Sequence, residues 1–415
     1  MRYNKFKEPS QGGKKCSTYV IAIIILLCLI SFLFSESIVT TLPSTHLLGV
    51  GRSIQSLSSN EIIGEPVNLT RDIEVVLQEQ RRTINAEVLR NYTFPDEKLN
   101  FSDIDIRNLS PENNGTPIRS VIVATWRSGS TFLGDVLNSV PGNFYHYEPL
   151  LDHGIVQVRG PPLANNALNY ISNLLNCNYT DMENYLLYGQ DHNWLFTHNT
   201  RLWEKCLLYP HLCWNPQFLN KFCALFPFQS MKLVRLRLHL IEELLEDPKL
   251  GIRVLLVVRD PRGIMQSRKH RDWCPGQPDC WDPTLLCADL TADYSAAIRL
   301  KKKYPDRFRA VRYEDISLNP YKGAQSLLKF FGRHYGPNVK RYLDTHTKRN
   351  AGGVSSTFRN SRAAPFHWRS DLSHSEVLSI QRKCVTAMSV WGYVKAHNAT
   401  HQKTLDPIKK NFILD

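Results

Sequence analysis

The sequence has no internal repeat, and none of its ten cysteines has histidines beside it at the spacing of a zinc finger. The first absence excludes an architecture of stacked repeats, and the second leads us to expect no metal site. Acidic residues are scarce relative to basic ones, 38 against 51, so the 415-residue chain carries a formal charge of +13. This balance favours an anionic partner without identifying it.

A complete Walker A motif is also missing, although residues 125–131 (TWRSGST) come close to one. They follow an apolar run at 121–124 and precede helically spaced apolar residues, which predicts a strand, a tight loop and a helix N-terminus. Such a loop directs N–H groups and the helix dipole at an anion, usually phosphate. Ser130 occupies the lysine position of the Walker motif, and the cation is Arg127, before Gly129. An ordinary strand-to-helix connection is the alternative.

A second candidate anion site follows the apolar run at 254–258, which is typical of a buried parallel strand. Ligands of open α/β sheets bind at the carboxyl ends of such strands, where Arg259 stands. Ser267 lies about two helical turns further on, so Arg259 and Ser267 could reach one phosphate. The alternative is a surface ion pair between Arg259 and Asp260, with Ser267 solvated. Weaker phosphate candidates in the same segment are Arg262 and Arg268.

The two sites together resemble the phosphate-binding motifs of the carbohydrate sulfotransferases of the Golgi. Further matches run in family order between residues 118 and 396, at 147–150 (YEPL), 281–283 (WDP), 287–289 (CAD), 311–315 (VRYED), 357–361 (TFRNS) and 368–369 (WR). The chain looks most similar to the branch that sulfates the 6-hydroxyl of galactose, N-acetylglucosamine or N-acetylgalactosamine. The resemblance implies a P-loop-like three-layer α/β fold with a central parallel sheet. It also implies 3′-phosphoadenosine-5′-phosphosulfate (PAPS) as donor and a glycan or glycosaminoglycan as acceptor.

The same resemblance assigns roles to individual residues. The 5′-phosphosulfate would be held by Arg127, Ser128, Gly129, Ser130, Thr131 and Phe132. The 3′-phosphate would be held by Arg259 and Ser267. By the same resemblance, Arg127 would also stabilise the leaving phosphate. Glu148 is the candidate acceptor of the sugar hydroxyl proton, because it comes just after a strand expected to neighbour the loop and a free glutamate is ionised at luminal pH. His146, two residues earlier, is the competing base.

Other side chains receive weaker assignments. Those expected to contact the nucleotide, or else to pack in the core, are Tyr313, Trp368 and Arg369, with a flexible approach at residues 352–353. Those that alternate along a predicted strand and could line the acceptor groove are Arg235, Arg237 and His239. Basic residues that either contact the glycan or form solvated faces are 301–303, Arg333 and His334.

The N-terminal region predicts membrane attachment. Residues 19–34 are apolar apart from Ser31, and several basic residues precede them. At 1.5 Å per residue the run spans roughly 24 Å, close to the thickness of a thin early-secretory bilayer. The basic flank predicts a cytoplasmic tail at 1–18, which makes the rest of the chain luminal. A cleaved signal peptide is the rival interpretation; the resemblance favours a single-pass type II anchor in the Golgi membrane.

Sequons and cysteines support a luminal address. N-x-[ST] sequons begin at Asn68, Asn91, Asn100, Asn108, Asn114, Asn178 and Asn398. Five of the seven crowd into one segment, which fits an exposed, glycosylated stretch. Eight cysteines follow the apolar run, an even number that suggests disulfides in an oxidising compartment, with pairing left open. A luminal address makes nucleic acid an improbable partner.

The chain therefore divides into the tail, the anchor, a luminal stem at 35–117, a sulfotransferase domain at 118–396 and a C-terminal tail at 397–415. One helix near 71–90 in the stem could pair two chains into a homodimer. Alternation of strands and helices in the domain favours a parallel sheet covered on both faces. The predicted strands are 120–125, 143–147, 231–237, 253–258 and 308–312. The predicted helices are 130–139, 239–246, 284–303, 321–334 and 374–390, with a helical region at 165–225.

Two other functions fit parts of the sequence. A luminal phosphotransferase that uses ATP would share the loop and would need magnesium, but the incomplete Walker A motif counts against it. A non-catalytic glycan-binding protein on the same fold would be expected to lack the base or the phosphate contacts. Arg127, Glu148, Arg259 and Ser267 are all present.

Overall fold

Parallel strands form the centre of the computed structural model, which describes residues 68–89, 92, 106–353, 356–410, 412 and 414. These residues lie within one compact unit at 66–415. The strands are β1 (Ile118–Ala124), β2 (Asn143–Tyr147), β3 (Phe228–Leu233), β4 (Arg253–Val258) and β5 (Phe308–Arg312). β1 and β3 are buried along their whole length because helices cover both faces of the sheet.

The strand order β2-β3-β1-β4-β5 places β1 at the centre of the sheet. β1 pairs in parallel with β3 on one side and with β4 on the other. Because all the strands run in one direction, the loops that follow them meet at a single edge. The predicted α/β architecture with a central parallel sheet is confirmed.

Helices pack around the sheet. In chain order they are α1 (Leu69–Ile84), α2 (Ser130–Asn138), α3 (Leu163–Leu175), α4 (Glu183–Asp191), α5 (Trp194–Thr197), α6 (Thr200–Leu208), α7 (Pro216–Ala224), α8 (Ile241–Glu246), α9 (Pro261–Lys269), α10 (Pro278–Trp281), α11 (Pro283–Lys303), α12 (Tyr313–Leu318), α13 (Pro320–Phe330), α14 (Pro337–His346), α15 (Trp368–Asp371), α16 (His374–Lys383), α17 (Val385–Val390) and α18 (Ala399–Thr404). The helices that lie outside the predicted ones are α10, α12, α14, α15 and α18. The helix predicted at 374–390 divides at Cys384.

The main difference from the predicted strands concerns β3, which was expected at 231–237. It begins at Phe228 and ends at Leu233. Beyond Leu233 the chain leaves the sheet, and a single bridge joins Leu236 to Val158. Apolar residues alternate with basic ones through this region, so the sequence pattern continues after the neighbouring strands have ended.

Helix α1 lies in the segment predicted as a stem. Asn68 caps it by accepting a hydrogen bond from the Arg71 N–H at 3.1 Å. Its apolar side chains are buried and belong to the core of this chain: Ile73, Val76, Leu77 and Ile84. The face that the sequence offers for pairing two chains is therefore covered by the chain itself.

All eight cysteines of the described region form disulfides. The pairs are Cys177–Cys223, Cys206–Cys213, Cys274–Cys280 and Cys287–Cys384. The predicted disulfides are thus confirmed, and the structure supplies the pairing. The predicted tail at 1–18 and anchor at 19–34 lie outside the described residues, and no described helix is both long and apolar enough to span a bilayer.

Candidate active site

The first predicted loop leaves the centre of the sheet, where β1 ends at Ala124. Gly129 caps α2 with a φ of 85°, a left-handed conformation that favours glycine. A Cβ on Gly129 would lie 2.3 Å from ring carbons of Tyr313, so this ring packs directly on the loop. Arg127 is also left-handed, with a φ of 71°. These turns place the N-terminus of α2 at the carboxyl edge of the sheet, where N–H groups and the dipole favour an anion.

A cavity of about 840 Å³ opens at this edge. Its size lies within the range of ligand pockets, about 300–1,000 Å³. The predicted site residues that line it are Arg127, Gly129, Ser130, Thr131, Phe132, Glu148, Arg259 and Ser267. Ser128 lies instead beneath the loop, fully buried, and its Oγ has no hydrogen-bond partner among the described residues. All but one of the predicted residues therefore share a single cavity.

Two hydrogen bonds join the two predicted phosphate sites. Arg127 Nε donates to Ser267 Oγ at 3.0 Å, and Arg259 Nη1 donates to the carbonyl oxygen of Arg127 at 2.9 Å. Burial first, and then the charges of Arg271 and Arg259, lower the pKa of Arg127 to about 10. An anion bound among these guanidinium groups would offset both effects.

Arg259 is held in place between the two loops. Its Nη2 donates to the carbonyl oxygen of Ala364 at 3.1 Å, and its guanidinium lies 5.0 Å from the ring centroid of Tyr313. Its buried Nε has no hydrogen-bond partner within the described part of the chain. A buried N–H of a charged group calls for an acceptor. Arg259 is therefore oriented by neutral groups and retains its charge for a ligand.

Glu148 follows β2 and is bound by two cations. Its Oε1 lies 2.6 Å from Lys232 Nζ, and its Oε2 lies 2.9 Å from Arg235 Nη1. The Glu148 side chain is 12% exposed and lines the cavity. Lys232 Nζ also donates to Thr131 Oγ1 at 3.0 Å and lies 3.7 Å from the ring centroid of Tyr147. The carboxylate is therefore linked through Lys232 to the first turn of α2.

These contacts fix the charge of Glu148. Burial raises its pKa, but the charges of Lys232 and Arg235 and their hydrogen bonds outweigh burial and lower the pKa to about 2. For Lys232 the balance is the reverse: burial lowers the pKa, and Glu148 raises it above its ordinary value. Glu148 is ionised and able to accept a proton, although it is a weak base while both cations remain in contact.

Lys232 is the main candidate residue of this cavity that was not predicted from the sequence. It lies on β3, opposite Ile122 of β1 and Tyr147 of β2. A neighbouring strand thus supplies an ammonium group to the loop that lacks the Walker lysine. The sequence signal was a lysine that is the one charged residue of β3, and its value depends on knowing which strands are neighbours. Other cavity residues missed were Arg271, His346 and Arg359.

Three of the weaker candidates are buried against other protein groups: His146, Arg262 and Arg268. His146 is buried, does not line the cavity, and has its pKa lowered to about 3 by burial. Arg262 forms an ion pair with Asp260 at 2.7 Å. Arg268 donates to Thr125 Oγ1 at 2.7 Å and supports the loop from below. These positions favour Glu148 over His146 as the proton acceptor.

Some of the residues expected at the acceptor groove or over the nucleotide line the cavity, and others do not. Arg235 and Tyr313 line the cavity, whereas Arg237 donates to the carbonyl oxygen of Ala124 at 3.2 Å and is buried. His239 lies at the surface against the carbonyl oxygen of Arg159. Trp368 is fully buried beneath Arg262 and does not line the cavity. Arg333 is likewise buried, since its guanidinium binds carbonyl oxygens of Ile118 and Gln229.

The charge of the cavity is strongly positive. Its cationic side chains are Arg127, Lys232, Arg235, Arg259, Arg271 and Arg359, and its carboxylates are Glu148 and Asp371. In the described residues we find no group of three histidine, cysteine, aspartate or glutamate side chains that could hold a metal ion. The excess of cations is suited to a substrate with several negative charges.

A central parallel sheet covered by helices, with a cationic cavity at the carboxyl end of its middle strand, defines an α/β protein with a candidate anion-binding site. The sulfotransferase domain family matches residues 117–387, and the chain belongs to this family. It is 27% identical over 329 residues to carbohydrate sulfotransferase 3 of Mus musculus, covering 69% of this chain and 70% of that one. It is 24% identical over 341 residues to carbohydrate sulfotransferase 5 of Mus musculus, covering 71% and 86%.

Among solved structures, the sulfotransferase domain from the Synechococcus PCC 7002 olefin synthase matches with 17% identity and a TM-score of 0.37. The match covers 65% of this chain and 93% of that one. The family match and the named relatives confirm the predicted resemblance to carbohydrate sulfotransferases. The protein is therefore a transferase of the sulfotransferase family.

Proposed function

We propose that this enzyme transfers a sulfuryl group from PAPS to the 6-hydroxyl of a galactose, N-acetylglucosamine or N-acetylgalactosamine residue in a glycan or proteoglycan chain. The observation that carries the proposal is the direct link between Arg127 and Ser267, at 3.0 Å, with Arg259 bound to the same loop. A donor with phosphates at both its 5′ and 3′ positions suits two anion sites that lie in one cavity.

The cavity has suitable partners for both ends of such a donor. The N–H groups and hydroxyls of Ser130 and Thr131 would hold the 5′ end at the start of α2. Arg259 would present its guanidinium to the 3′-phosphate, because its protein partners are carbonyl oxygens rather than carboxylates. When bound, the donor supplies the sulfuryl group through the bond between sulfur and a 5′-phosphate oxygen.

In the proposed reaction Glu148 accepts the proton of the sugar hydroxyl while that oxygen forms a bond to sulfur. Arg127 stabilises the negative charge on the phosphate oxygen released from sulfur. Lys232 Nζ contacts both Glu148 and Thr131, so it lies where it would also donate to a sulfuryl oxygen at the start of α2.

The glycan acceptor and the luminal address are parts of the same proposal. Relatives named carbohydrate sulfotransferases support the glycan. The disulfides and the exposed sequon residues Asn178 and Asn398 support an oxidising compartment. Together with the predicted anchor at 19–34, which lies outside the described residues, they favour a type II protein of the Golgi membrane.

The test is to incubate the full chain with radiolabelled PAPS and a panel of galactose-, N-acetylglucosamine- and N-acetylgalactosamine-containing glycans. We expect label in at least one glycan, and digestion of the product should place it on a 6-hydroxyl. Label on another carbon would refute the 6-hydroxyl assignment. Transfer to no glycan by folded protein that binds 3′-phosphoadenosine-5′-phosphate would refute the proposed activity.

A further inference from the structure

Two pairs of aromatic side chains are linked to Glu148, each through one of the two cations that bind its carboxylate oxygens. On one side, the Arg235 guanidinium that binds the carboxylate lies 5.4 Å from the ring centroid of Trp126. Trp126 in turn meets Trp273 edge-on, with ring centroids 6.3 Å apart. Both indoles line the cavity. This side therefore runs outward from the carboxylate through a cation and an inner ring to an outer tryptophan.

The other side repeats this order. The ammonium group of Lys232 that binds Glu148 lies 3.7 Å from the ring centroid of Tyr147. Tyr147 meets Trp194 edge-on at 6.2 Å, and both rings line the cavity. Each oxygen of the carboxylate is thus bound by a cation that rests on an inner aromatic ring, beyond which stands an outer tryptophan.

The two outer tryptophans are large apolar surfaces in contact with solvent. Trp273 is 37% exposed and Trp194 is 44% exposed. An aromatic side chain with an open face in a polar cavity is suited to a ligand that has both apolar and polar groups. A sugar ring is such a ligand, because its C–H face can pack on an indole while its hydroxyls form hydrogen bonds.

The Trp273 side is held rigidly. Trp273 precedes Cys274, whose disulfide to Cys280 closes a short loop, and both cysteines are fully buried. The carbonyl oxygen of Cys280 accepts a hydrogen bond from Arg268 of α9 at 2.6 Å. α9 also carries Ser267 of the donor site. A fixed surface for binding a ligand avoids the entropy cost of ordering it.

We propose that Trp194 and Trp273 bind the sugars on either side of the residue that receives the sulfuryl group. The acceptor is therefore a linear glycan sulfated at an internal residue rather than at its end. This inference rests on the proposed function, because it takes Glu148 to mark the position of the reacting hydroxyl. A terminal sugar at Glu148 would leave one of the two tryptophans uncovered.

The direct test uses the full chain, radiolabelled PAPS and acceptors of one, three and five sugars. One series alternates galactose with N-acetylglucosamine, and the other alternates glucuronate with N-acetylgalactosamine. We expect kcat/KM to rise by about tenfold or more from one sugar to three in the series that is used, the change given by about 1.4 kcal/mol of added binding. Exoglycosidase digestion should place the label on an internal residue. Equal rates for all lengths, or label on a terminal sugar, would overturn the proposal.

Variants separate the two sides. Trp194→Ala and Trp273→Ala are each expected to lower kcat/KM for the five-sugar acceptor by about tenfold while changing the single-sugar rate less than about threefold. Trp281→Ala is the matched control: Trp281 is 39% exposed, close to Trp273 in exposure, but does not line the cavity. An effect of only one cavity tryptophan, or an equal effect of Trp281→Ala, would contradict a two-sided site.

Nucleotide affinity and thermal unfolding distinguish loss of a sugar contact from loss of donor binding or of the fold. Affinity for 3′-phosphoadenosine-5′-phosphate should be unchanged in both variants, since a loss there would assign these tryptophans to the donor. Thermal unfolding of each variant shows whether it is folded, and Trp273→Phe should retain most of the length dependence that Trp273→Ala loses. Transfer without length dependence would refute only the two subsites, whereas absence of transfer by the wild-type chain would refute the proposed function itself.

Discussion

Replacing Lys232 with methionine is expected to move the protonation of Glu148 into the range where activity can be measured. In the wild-type protein burial raises the pKa of Glu148, and two cations lower it to about 2 from an ordinary value of 4.5. Loss of Lys232 leaves burial unchanged and removes the cation at 2.6 Å from Oε1. We therefore expect the pKa of Glu148 to rise toward its ordinary value of 4.5, since the opposing charge is reduced to Arg235.

The energy involved follows from the same shift. One pKa unit corresponds to 1.36 kcal/mol, so the depressed pKa of Glu148 stabilises the folded protein by about 3 kcal/mol at neutral pH. Because the folded pKa lies below the unfolded one, this stabilisation is present above about pH 4.5 and is lost as the pH falls toward 2. The Lys232→Met protein should accordingly be about 3 kcal/mol less stable at pH 7, with a smaller deficit near pH 4.

The assay is the pH profile of kcat/KM between about pH 4 and 8, with thermal unfolding measured at each pH. The wild-type profile should show no loss from Glu148 protonation in this range, whereas Lys232→Met should lose activity below about pH 5. Loss of a donor to the sulfuryl oxygens should also lower kcat by roughly 10²-fold or more. Lys221→Met is the control, because Lys221 forms an exposed ion pair with Glu74. If kcat/KM fell equally at low pH in the wild-type and Lys232→Met proteins, this account of Glu148 would be refuted.

Three further predictions concern the loops and the core. Arg259→Ala should weaken binding of 3′-phosphoadenosine-5′-phosphate by roughly 10- to 100-fold and leave adenosine 5′-phosphosulfate, which has no 3′-phosphate, unaffected in equilibrium binding; equal losses for both would contradict the 3′ assignment. Gly129→Ala should cost roughly 1–2 kcal/mol of stability from its positive φ alone, and more from the clash of the new Cβ with the Tyr313 ring. In a double-mutant cycle measured by thermal unfolding, adding Tyr313→Ala should remove the cost of the clash but not the cost of the positive φ. Burial and the charge of Asp260 raise the pKa of Glu314 to about 7, so stability should fall by up to about 3 kcal/mol as pH rises from 4.5 through 7. Glu314→Gln should remove this pH dependence, and an unchanged dependence would refute it.

The sequence predicted those parts of the fold that depend on local pattern. Four of the five strands lie within two residues of their predicted bounds, and β2, β4 and β5 match theirs. An apolar run bounded by turn residues is sufficient for a buried parallel strand. The end of β3 was wrong because apolar alternation continues beyond Leu233, and only the lengths of its neighbours decide where pairing stops.

The burial of charged side chains was not predictable from the sequence. Arg333, expected at the surface, is buried because carbonyl oxygens and Ser120 Oγ surround its guanidinium. Arg237, expected in the acceptor groove, is buried, and its Nη1 lies 3.7 Å from a carboxylate oxygen of Asp289 and 3.5 Å from one of Asp293. A sequence shows that an arginine is present, but burial depends on partners contributed by distant segments.

The sequence predicted a candidate anion-binding loop after each of two apolar strands, with Arg127, Arg259 and Ser267 as candidate residues there, and it predicted Glu148 as a candidate base after a third strand. The backbone of each loop is set locally, by Gly129 in one case and by Asp260 at the helix N-terminus in the other. Only the tertiary structure shows that these loops share one cavity, which Lys232 also lines. Strand order is the physical reason, because β3 and β4 flank β1 only after segments more than 100 residues apart have paired.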